Sequence, residues 1–353
     1  MPRHGCDVTS MDLLGKELKG SLSPALCEFR KLHALGLSGT ELSGDLAMLA
    51  KCNELIDLHL SKTKVTGDIK SLSNMEKLKV LNLRDTQVFG ALEAFKNALD
   101  LRYLGLSQTS VTGDLKALEH PVSLKHMDIA QTNVTGRLND FLRRAQHLVH
   151  LDLSHTKANG SLSSLEEAVT GTGKKLIMLE WLDLSHTEVT GDVKELQGAL
   201  FHGVELKYLD ISGIAIEGDI SVTPLRSESL ETFKAAGCGL QGTLSRWFFK
   251  FSAVATLDLA SNEITRVEYI PRKCRTLILA ANATIDFAPG ILRKAVENYV
   301  FVDLRNVTLG NKMEAWRIEV VWSIQKDHGC PARNDFKLQK SDILVFKACH
   351  NAW

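Results

Sequence analysis

A leucine-based repeat organises almost the whole chain. One copy runs from Leu32 through Leu35 and Leu37 to Thr40 and Gly44, and the same frame returns at steps of 23 residues or a little more. A single copy cannot bury its own apolar side chains, so neighbouring copies must stack and share one core. With degenerate outer copies, we count thirteen openings: Val8, Leu32, Leu55, Leu78, Leu101, Leu124, Leu148, Leu179, Leu206, Leu230, Val254, Cys274 and Tyr299.

Each column of the repeat has a physical interpretation. Leu58 and Leu60 are two residues apart, so they lie on one face of a short strand. Leu55 and Val65 complete the apolar set that one coil contributes to the shared core. The threonine column, exemplified by Thr63, would be buried, and we expect its hydroxyls to bond backbone groups of the adjacent coil. These columns predict a solenoid with a parallel inner sheet, one strand per copy.

A glycine recurs near the middle of each copy, and an aspartate often comes directly after it. Glycine tolerates positive φ and close backbone approach, and aspartate is common in turns. We therefore expect a tight, closely packed turn here, at Gly20, Gly44, Gly67, Gly90, Gly113, Gly136, Gly160, Gly191, Gly218 and Gly242.

The chain resembles the leucine-rich repeat family, whose pattern is L-x-x-L-x-L-x-x-N-x-L within 20–29 residues. The resemblance covers residues 8–310, and segments such as Val65-Thr-Gly-Asp-Ile69 resemble the plant-type subclass. Threonine replaces the usual asparagine, which only Asn262 and Asn282 keep, and in this the array is similar to those of some unicellular algae. The resemblance implies a right-handed α/β solenoid with a second short strand on the convex side. It also implies binding of partners at the concave sheet, without a cofactor.

The frame stops near residue 310, which predicts a repeat array over residues 1–310 and a separate piece over 311–353. Alternation from Trp316 to Ile324 indicates a β-rich end, either a C-terminal cap or the start of a following domain. The long copy opening at Leu148 contains residues 169–175, which lack the glycine and hydroxyl of a phosphate-binding loop. We interpret them as a loop insertion.

Composition excludes several classes of protein. The 42 lysines and arginines balance 42 aspartates and glutamates, so nothing favours nucleic acid or an anionic membrane. No apolar run approaches the roughly 18 residues of a membrane span, and Met1 is not followed by a secretory signal. We expect no membrane insertion by this chain, and the cytoplasm is slightly favoured unless the chain is a fragment.

Seven cysteines occur without any C-x-x-C motif, so a zinc site is not predicted. Cys238 and Cys274 fall on core columns and are expected to be buried free thiols. Cys27 and Cys52 lie shortly before their strands in neighbouring copies. The one disulfide we consider is Cys330 with Cys349, and we expect the other thiols to be reduced.

The candidate binding residues lie on the exposed columns of the inner sheet. An aromatic or imidazole side chain stands two residues after five successive openings, and an aspartate stands four residues after the last four. Exposed aromatic side chains on a rigid surface are typical interface anchors. The aspartates have two readings, ligand contacts or local bonds to the backbone, and both stay open. The nine candidates are Tyr103, His126, Asp128, His150, Asp152, Trp181, Asp183, Tyr208 and Asp210.

No pattern indicates catalysis or a metal. Asp152 and His155 lie across a strand end, with neither a nucleophile nor an enclosing pocket beside them. We predict a non-enzymatic scaffold that recognises a protein or peptide through the concave face. The alternatives are the ligand-binding portion of a larger receptor-like or kinase-linked polypeptide, and a self-assembling structural protein. The sequence predicts no oligomeric state.

Overall fold

The computed structural model describes residues 8–170, 176, 178–201, 205–222, 225–250, 253–298 and 300–310. They divide into two compact units, the first ending at Thr190 and the second beginning at Gly191. In both units each copy begins with a three-residue strand, and these strands pair in parallel. The predicted α/β repeat solenoid is confirmed, with one inner strand for each of the thirteen predicted copies.

Two sequence predictions lie outside the described residues. These are the β-rich end at 311–353 and most of the loop insertion at 169–175, so the boundary at residue 310 stays a prediction. None of the helices in the described ranges is long and apolar enough to cross a membrane.

The first unit has two parallel sheets, one on its inner face and one on its outer face. Its inner sheet consists of β1 (Ser10–Asp12), β3 (Ala34–Gly36), β5 (Asp57–His59), β7 (Val80–Asn82), β9 (Tyr103–Gly105), β11 (His126–Asp128), β13 (His150–Asp152) and β15 (Trp181–Asp183). Its outer sheet consists of β2 (Lys19–Ser21), β4 (Glu41–Asp45), β6 (Lys64–Asp68), β8 (Gln87–Ala91), β10 (Ser110–Asp114), β12 (Asn133–Arg137), β14 (Lys157–Ser161) and β16 (Glu188–Asp192). This outer sheet is the second strand per copy that the resemblance implied.

Short helical turns close the coils. In the first unit, five 3-10 turns, Pro24–Glu28, Leu46–Leu49, Ile69–Leu72, Leu92–Phe95 and Leu115–Leu118, follow the outer strands of the early copies. Later copies use α1 (Leu138–Leu142) and α2 (Ser163–Thr170). The aspartate after the glycine column caps three of these turns, as where Asp68 Oδ1 accepts the N–H of Lys70 at 2.8 Å.

The second unit repeats the plan, with an outer strand in each copy. Its inner strands are β17 (Tyr208–Asp210), β20 (Thr232–Lys234), β23 (Thr256–Asp258), β25 (Thr276–Ile278) and β27 (Phe301–Asp303). The remaining elements are α3 (Val193–Phe201), α4 (Ile291–Glu297), β18 (Ala215–Glu217), β19 (Leu225–Arg226), β21 (Gln241–Leu244), β22 (Phe249–Lys250), β24 (Glu263–Val267), β26 (Thr284–Phe287) and β28 (Thr308–Leu309).

The core follows the leucine columns. Leu58, Leu81 and Leu104, at the middle of their inner strands, and Leu106, just beyond β9, have no exposed surface. Burying such a side chain contributes about 1.5–3 kcal/mol relative to leaving it in water. Because every coil supplies the same positions, the core is continuous within each unit.

The threonine column is buried, but the predicted partner of its hydroxyls was wrong. Thr63 Oγ1 donates to the carbonyl of Leu60 at 2.6 Å, three residues back in its own coil rather than in the next. The short hydroxyl reaches only this carbonyl. The longer amide of Asn262 does bridge coils, since its Nδ2 donates to Ala235 O at 2.7 Å and its Oδ1 accepts from Cys238 N at 3.1 Å.

The cysteine prediction was half wrong. Cys238 and Cys274 are buried free thiols, as expected. Cys27 and Cys52, however, form a disulfide with their Cα atoms 4.6 Å apart. Both residues lie in the segments that lead into β3 and β5, and stacking of these coils brings the segments together. Cys330 and Cys349 lie outside the described residues.

Candidate ligand-binding face

Four side chains of the first unit form a row of rings on the inner sheet. Tyr103, His126, His150 and Trp181 each occupy the first position of their strand, and these positions pair in register. Successive ring centroids are 6.1, 6.0 and 5.4 Å apart, and the last pair is stacked with 22° between the ring planes. We call these four residues the ring ladder. Contact between neighbouring rings restricts their rotamers, so a ligand would meet an ordered surface.

The ring ladder carries little charge near neutral pH. Burial lowers the pKa of His126, and the nearby Lys125 lowers it further. Burial also lowers the pKa of His150, helped by His126 and Arg84 and opposed by Asp152. Both imidazoles therefore stay neutral at physiological pH. Of the Trp181 surface, 37% is exposed.

The aspartates beside the ladder are held by their own coils. Asp152 Oδ1 accepts hydrogen bonds from the backbone N–H and the hydroxyl of Ser154, at 2.9 and 2.7 Å. Asp183 makes the same two bonds with Ser185, at 2.9 and 2.6 Å. These are local bonds of the kind that the sequence analysis gave as the alternative to ligand contacts. They fix both carboxylates in place.

Asp128 differs from these aspartates because it is buried and paired. Its carboxylate forms an ion pair with Arg84 and accepts the Ser107 hydroxyl at 3.1 Å, and only 7% of Asp128 is exposed. The Arg84 guanidinium also lies 5.9 Å from the centroid of the Tyr103 ring. Asp128 therefore holds the Arg84 guanidinium beside the first ring of the ladder.

Arg84 reaches Asp128 across the coil of β9, where Gly105 leaves room. A Cβ on Gly105 would lie 3.1 Å from Tyr103 Cε1 and 3.3 Å from Arg84 Cδ. Sequence reasoning missed this arginine. The available signal was that Arg84 follows core Leu83 at a position where most other copies carry serine or alanine.

Tyr208 and Asp210 lie on β17 of the second unit. The Tyr208 hydroxyl donates to Asp210 Oδ2 at 3.2 Å, and Lys234 Nζ lies 2.9 Å from the Tyr208 oxygen. Lys234 Nζ is also 3.3 Å from Asp210 Oδ2, and Asp210 is 7% exposed. These three side chains form a closed local network within the second unit.

Two further histidines mark the edge of the first unit's inner face. His155 and His186 are exposed, stack with centroids 4.5 Å apart, and have φ of 54° and 55°. The residue before the threonine column adopts this left-handed conformation. Glycine occupies that position in two other copies, as Gly39 and Gly213, and could have indicated the positive φ from the sequence. Across the described ranges no group of three or more His, Cys, Asp or Glu could hold a metal ion.

The free thiols are not activated. Burial raises the pKa of Cys238 to about 12 and that of Cys274 to about 11. A nucleophilic cysteine needs the opposite shift. Both residues are buried and pack in the core.

No protein-family model and no curated protein sequence matches the chain. Solved structures do. The leucine-rich repeat ectodomain of the Arabidopsis thaliana receptor kinase GASSHO1/SCHENGEN3, in complex with CASPARIAN STRIP INTEGRITY FACTOR 2, matches with a TM-score of 0.61 and 20% identity. The match covers 85% of this chain and 41% of that one. The ectodomain of the Arabidopsis receptor kinase HAESA, with an extended IDA peptide hormone, matches with a TM-score of 0.68 and 18% identity, over 85% and 50%.

A plant ice-binding protein has the same fold, with a TM-score of 0.53 and 17% identity, over 86% of this chain and 80% of that one. At these identities the likeness concerns the fold alone, which is shared by proteins of different function. This chain spans about half the length of the two receptor ectodomains.

Proposed function

We propose that this leucine-rich repeat chain is a non-enzymatic recognition scaffold that binds an extended protein or peptide segment across its inner sheet. The observation that carries the proposal is the ring ladder of Tyr103, His126, His150 and Trp181. Rings in register, ordered by mutual contact and uncharged at neutral pH, offer binding area at low entropic cost. The two receptor ectodomains with the same fold are complexed with a named factor and a peptide hormone, which supports a ligand of this kind.

A second candidate is that the chain is the ligand-binding portion of a larger receptor-like polypeptide. Both receptor structures with this fold are ectodomains of receptor kinases, which supports this reading. The Cys27–Cys52 disulfide adds support, because such bonds persist in oxidising compartments and are rare in the cytosol. We propose an extracytoplasmic location, in place of the slight preference for the cytoplasm that the sequence suggested.

Selection of peptides from a displayed random library on the purified chain tests the proposal. The selected peptides are then measured against a Trp181→Ala, His150→Ala double variant and against an outer control, Lys116→Ala with Lys194→Ala. Truncating an aromatic anchor typically costs about 2 kcal/mol or more, which is roughly 30-fold in affinity. The inner variant should lose binding with little change in melting temperature, and the control should keep it. Loss in the control alone would reject the inner face.

A further inference from the structure

We propose that the ligand of the first unit's inner face is a basic, extended peptide with two lysines or arginines about six positions apart and only uncharged residues between them. This inference rests on the proposed function and specifies its ligand. The observations that carry it are a hollow in the inner sheet and the distribution of charge along the sheet.

The hollow lies between β1 and β5. Its volume is about 290 Å³, and it exists because the intervening strand carries only Ala34 and Gly36 on this face. The carboxylate of Asp12 leans over Gly36, where a Cβ would stand 2.9 Å from Asp12 Oδ1. Asp57 and His59 form the opposite wall. Since a liquid water molecule occupies about 30 Å³, the hollow has room for an ammonium or guanidinium group between two carboxylates.

A second acidic position lies at the far end of the same sheet. Asp152 and Asp183 stand on β13 and β15, and each is held in a defined position by its serine. This end therefore offers a basic side chain the fixed carboxylate of Asp152.

The middle of the sheet does not compete for a basic side chain. On β7 and β9 the inner positions are Val80, Asn82, Tyr103 and Gly105, and none of these carries a charge. Of the carboxylates nearby, Asp128 is neutralised by Arg84, and Asp85 lies at the edge of the inner face, in the same left-handed column as His155. Along the strand edge, Lys79, Arg102 and Lys125 just precede β7, β9 and β11 and repel cations from the middle.

The spacing sets the ligand pattern. From β5 to β13 is four coils, or about 19 Å at roughly 4.8 Å per coil. An extended peptide advances about 3.3 Å per residue, so six residues separate side chains that reach both ends. The uncharged residues between them would cross Tyr103 and His126.

Fluorescence anisotropy with the full chain and two labelled octapeptides of identical composition tests the spacing. One peptide has lysine at its first and seventh positions, and the other has both lysines at its first two positions, with tyrosine, serine and leucine elsewhere. The spaced peptide should bind more tightly, and the difference should shrink as salt rises. Equal affinities for the two peptides would overturn the inference.

Variants test the hollow itself. Asp57→Asn removes one carboxylate, and Ala34→Leu fills the hollow without changing charge. Each should weaken the spaced peptide by about tenfold, the effect of one partly buried charged hydrogen bond. Asp68→Asn is the matched control, since it removes a charge from the outer face and asparagine caps a turn as well as aspartate. This control should change nothing.

The outcomes separate this inference from the proposed function. If Asp57→Asn and Ala34→Leu bind as the wild type does, while Trp181→Ala abolishes binding of library-selected peptides, the basic-peptide inference is wrong and the proposed function stands. If neither set of variants affects any peptide, both are wrong.

Discussion

The carboxylate of Asp114 occupies the space into which a side chain on Gly136 would project. Asp114 Oδ1 accepts the N–H of Lys116 at 2.8 Å, and a Cβ on Gly136 in the next coil would lie 2.4 Å from that oxygen. At Gly136 glycine is therefore required both by a φ of 111° and by the capping aspartate of the preceding coil. The sequence predicted a tight turn needing positive φ or close packing at this column; the structure shows both features at Gly136, but within outer strand β12 rather than in a turn.

Gly136→Ala should destabilise the first unit more than Gly160→Ala does. The two glycines have nearly equal φ, 111° and 112°, so the backbone strain is the same. At Gly160 the nearest atom to an added Cβ is Leu138 N at 3.5 Å, because Arg137 stands where other coils have the capping aspartate. We expect an added cost of about 1–3 kcal/mol at Gly136 from the clash. Urea denaturation of both variants measures the difference, and equal stabilities would contradict the packing account.

Leu106→Ala should cost about 2–5 kcal/mol, because it leaves a cavity in a core with no exposed surface at that position. Leu99→Ala is the control, since 56% of Leu99 is exposed and its loss should change stability by less than about 0.5 kcal/mol. Chemical denaturation compares the two. Similar losses would mean that the leucine columns do not form the core described here.

Removal of the disulfide should destabilise the first unit. Cys27 and Cys52 are separated by 25 positions, and closing a loop of that length contributes about 3 kcal/mol on the chain-entropy model. The Cys27→Ser, Cys52→Ser double variant should therefore melt at a lower temperature than the oxidised protein. Mass spectrometry after alkylation in denaturant should find both sulfurs blocked until reductant is added. Free alkylation of both would show that the bond is absent.

Acidification should weaken the first unit through the ring ladder. The pKa values of His126 and His150 are both lowered in the folded state, mainly by burial, so the unfolded chain takes up protons more readily. The stability that depends on their neutral forms is present above the unfolded value of 6.5 and is lost as pH falls through the lower folded values.

A His126→Gln, His150→Gln variant isolates that effect from the other histidines. Its melting temperature should fall less than that of the wild type between about pH 7.5 and about pH 5. Thermal melts of both proteins across that range provide the measurement. Parallel curves would show that these two imidazoles are not held neutral by the fold.

The sequence predicted the coils and the ring ladder for one physical reason. Stacked parallel copies of similar length place equal positions side by side, so the register of Leu104 and Met127 also sets that of Tyr103 and His126. The repeat columns therefore predict contacts between a side chain and its own coil or the next one. The ring ladder consists of such contacts, so the sequence alone predicts it.

The contacts that the sequence did not predict join residues that lie more than one coil apart or outside the repeat columns. Arg84 crosses a whole coil to Asp128, and nothing in the repeat period encodes the length of an extended guanidinium side chain. Cys27 and Cys52 lie in connecting segments outside the leucine frame, where loop path decides the contact. The prediction for Thr63 was wrong for the opposite reason, because its side chain is too short to reach the adjacent coil and its hydroxyl bonds Leu60 in its own coil.

Amide hydrogen exchange of the full chain, with and without a library-selected peptide, tests the central claim most directly. If the inner face of the first unit is the binding surface, protection should rise on β9, β11, β13 and β15 and remain unchanged on β8, β10 and β12. Protection confined to the outer strands, with no change around Tyr103 and Trp181, would contradict it.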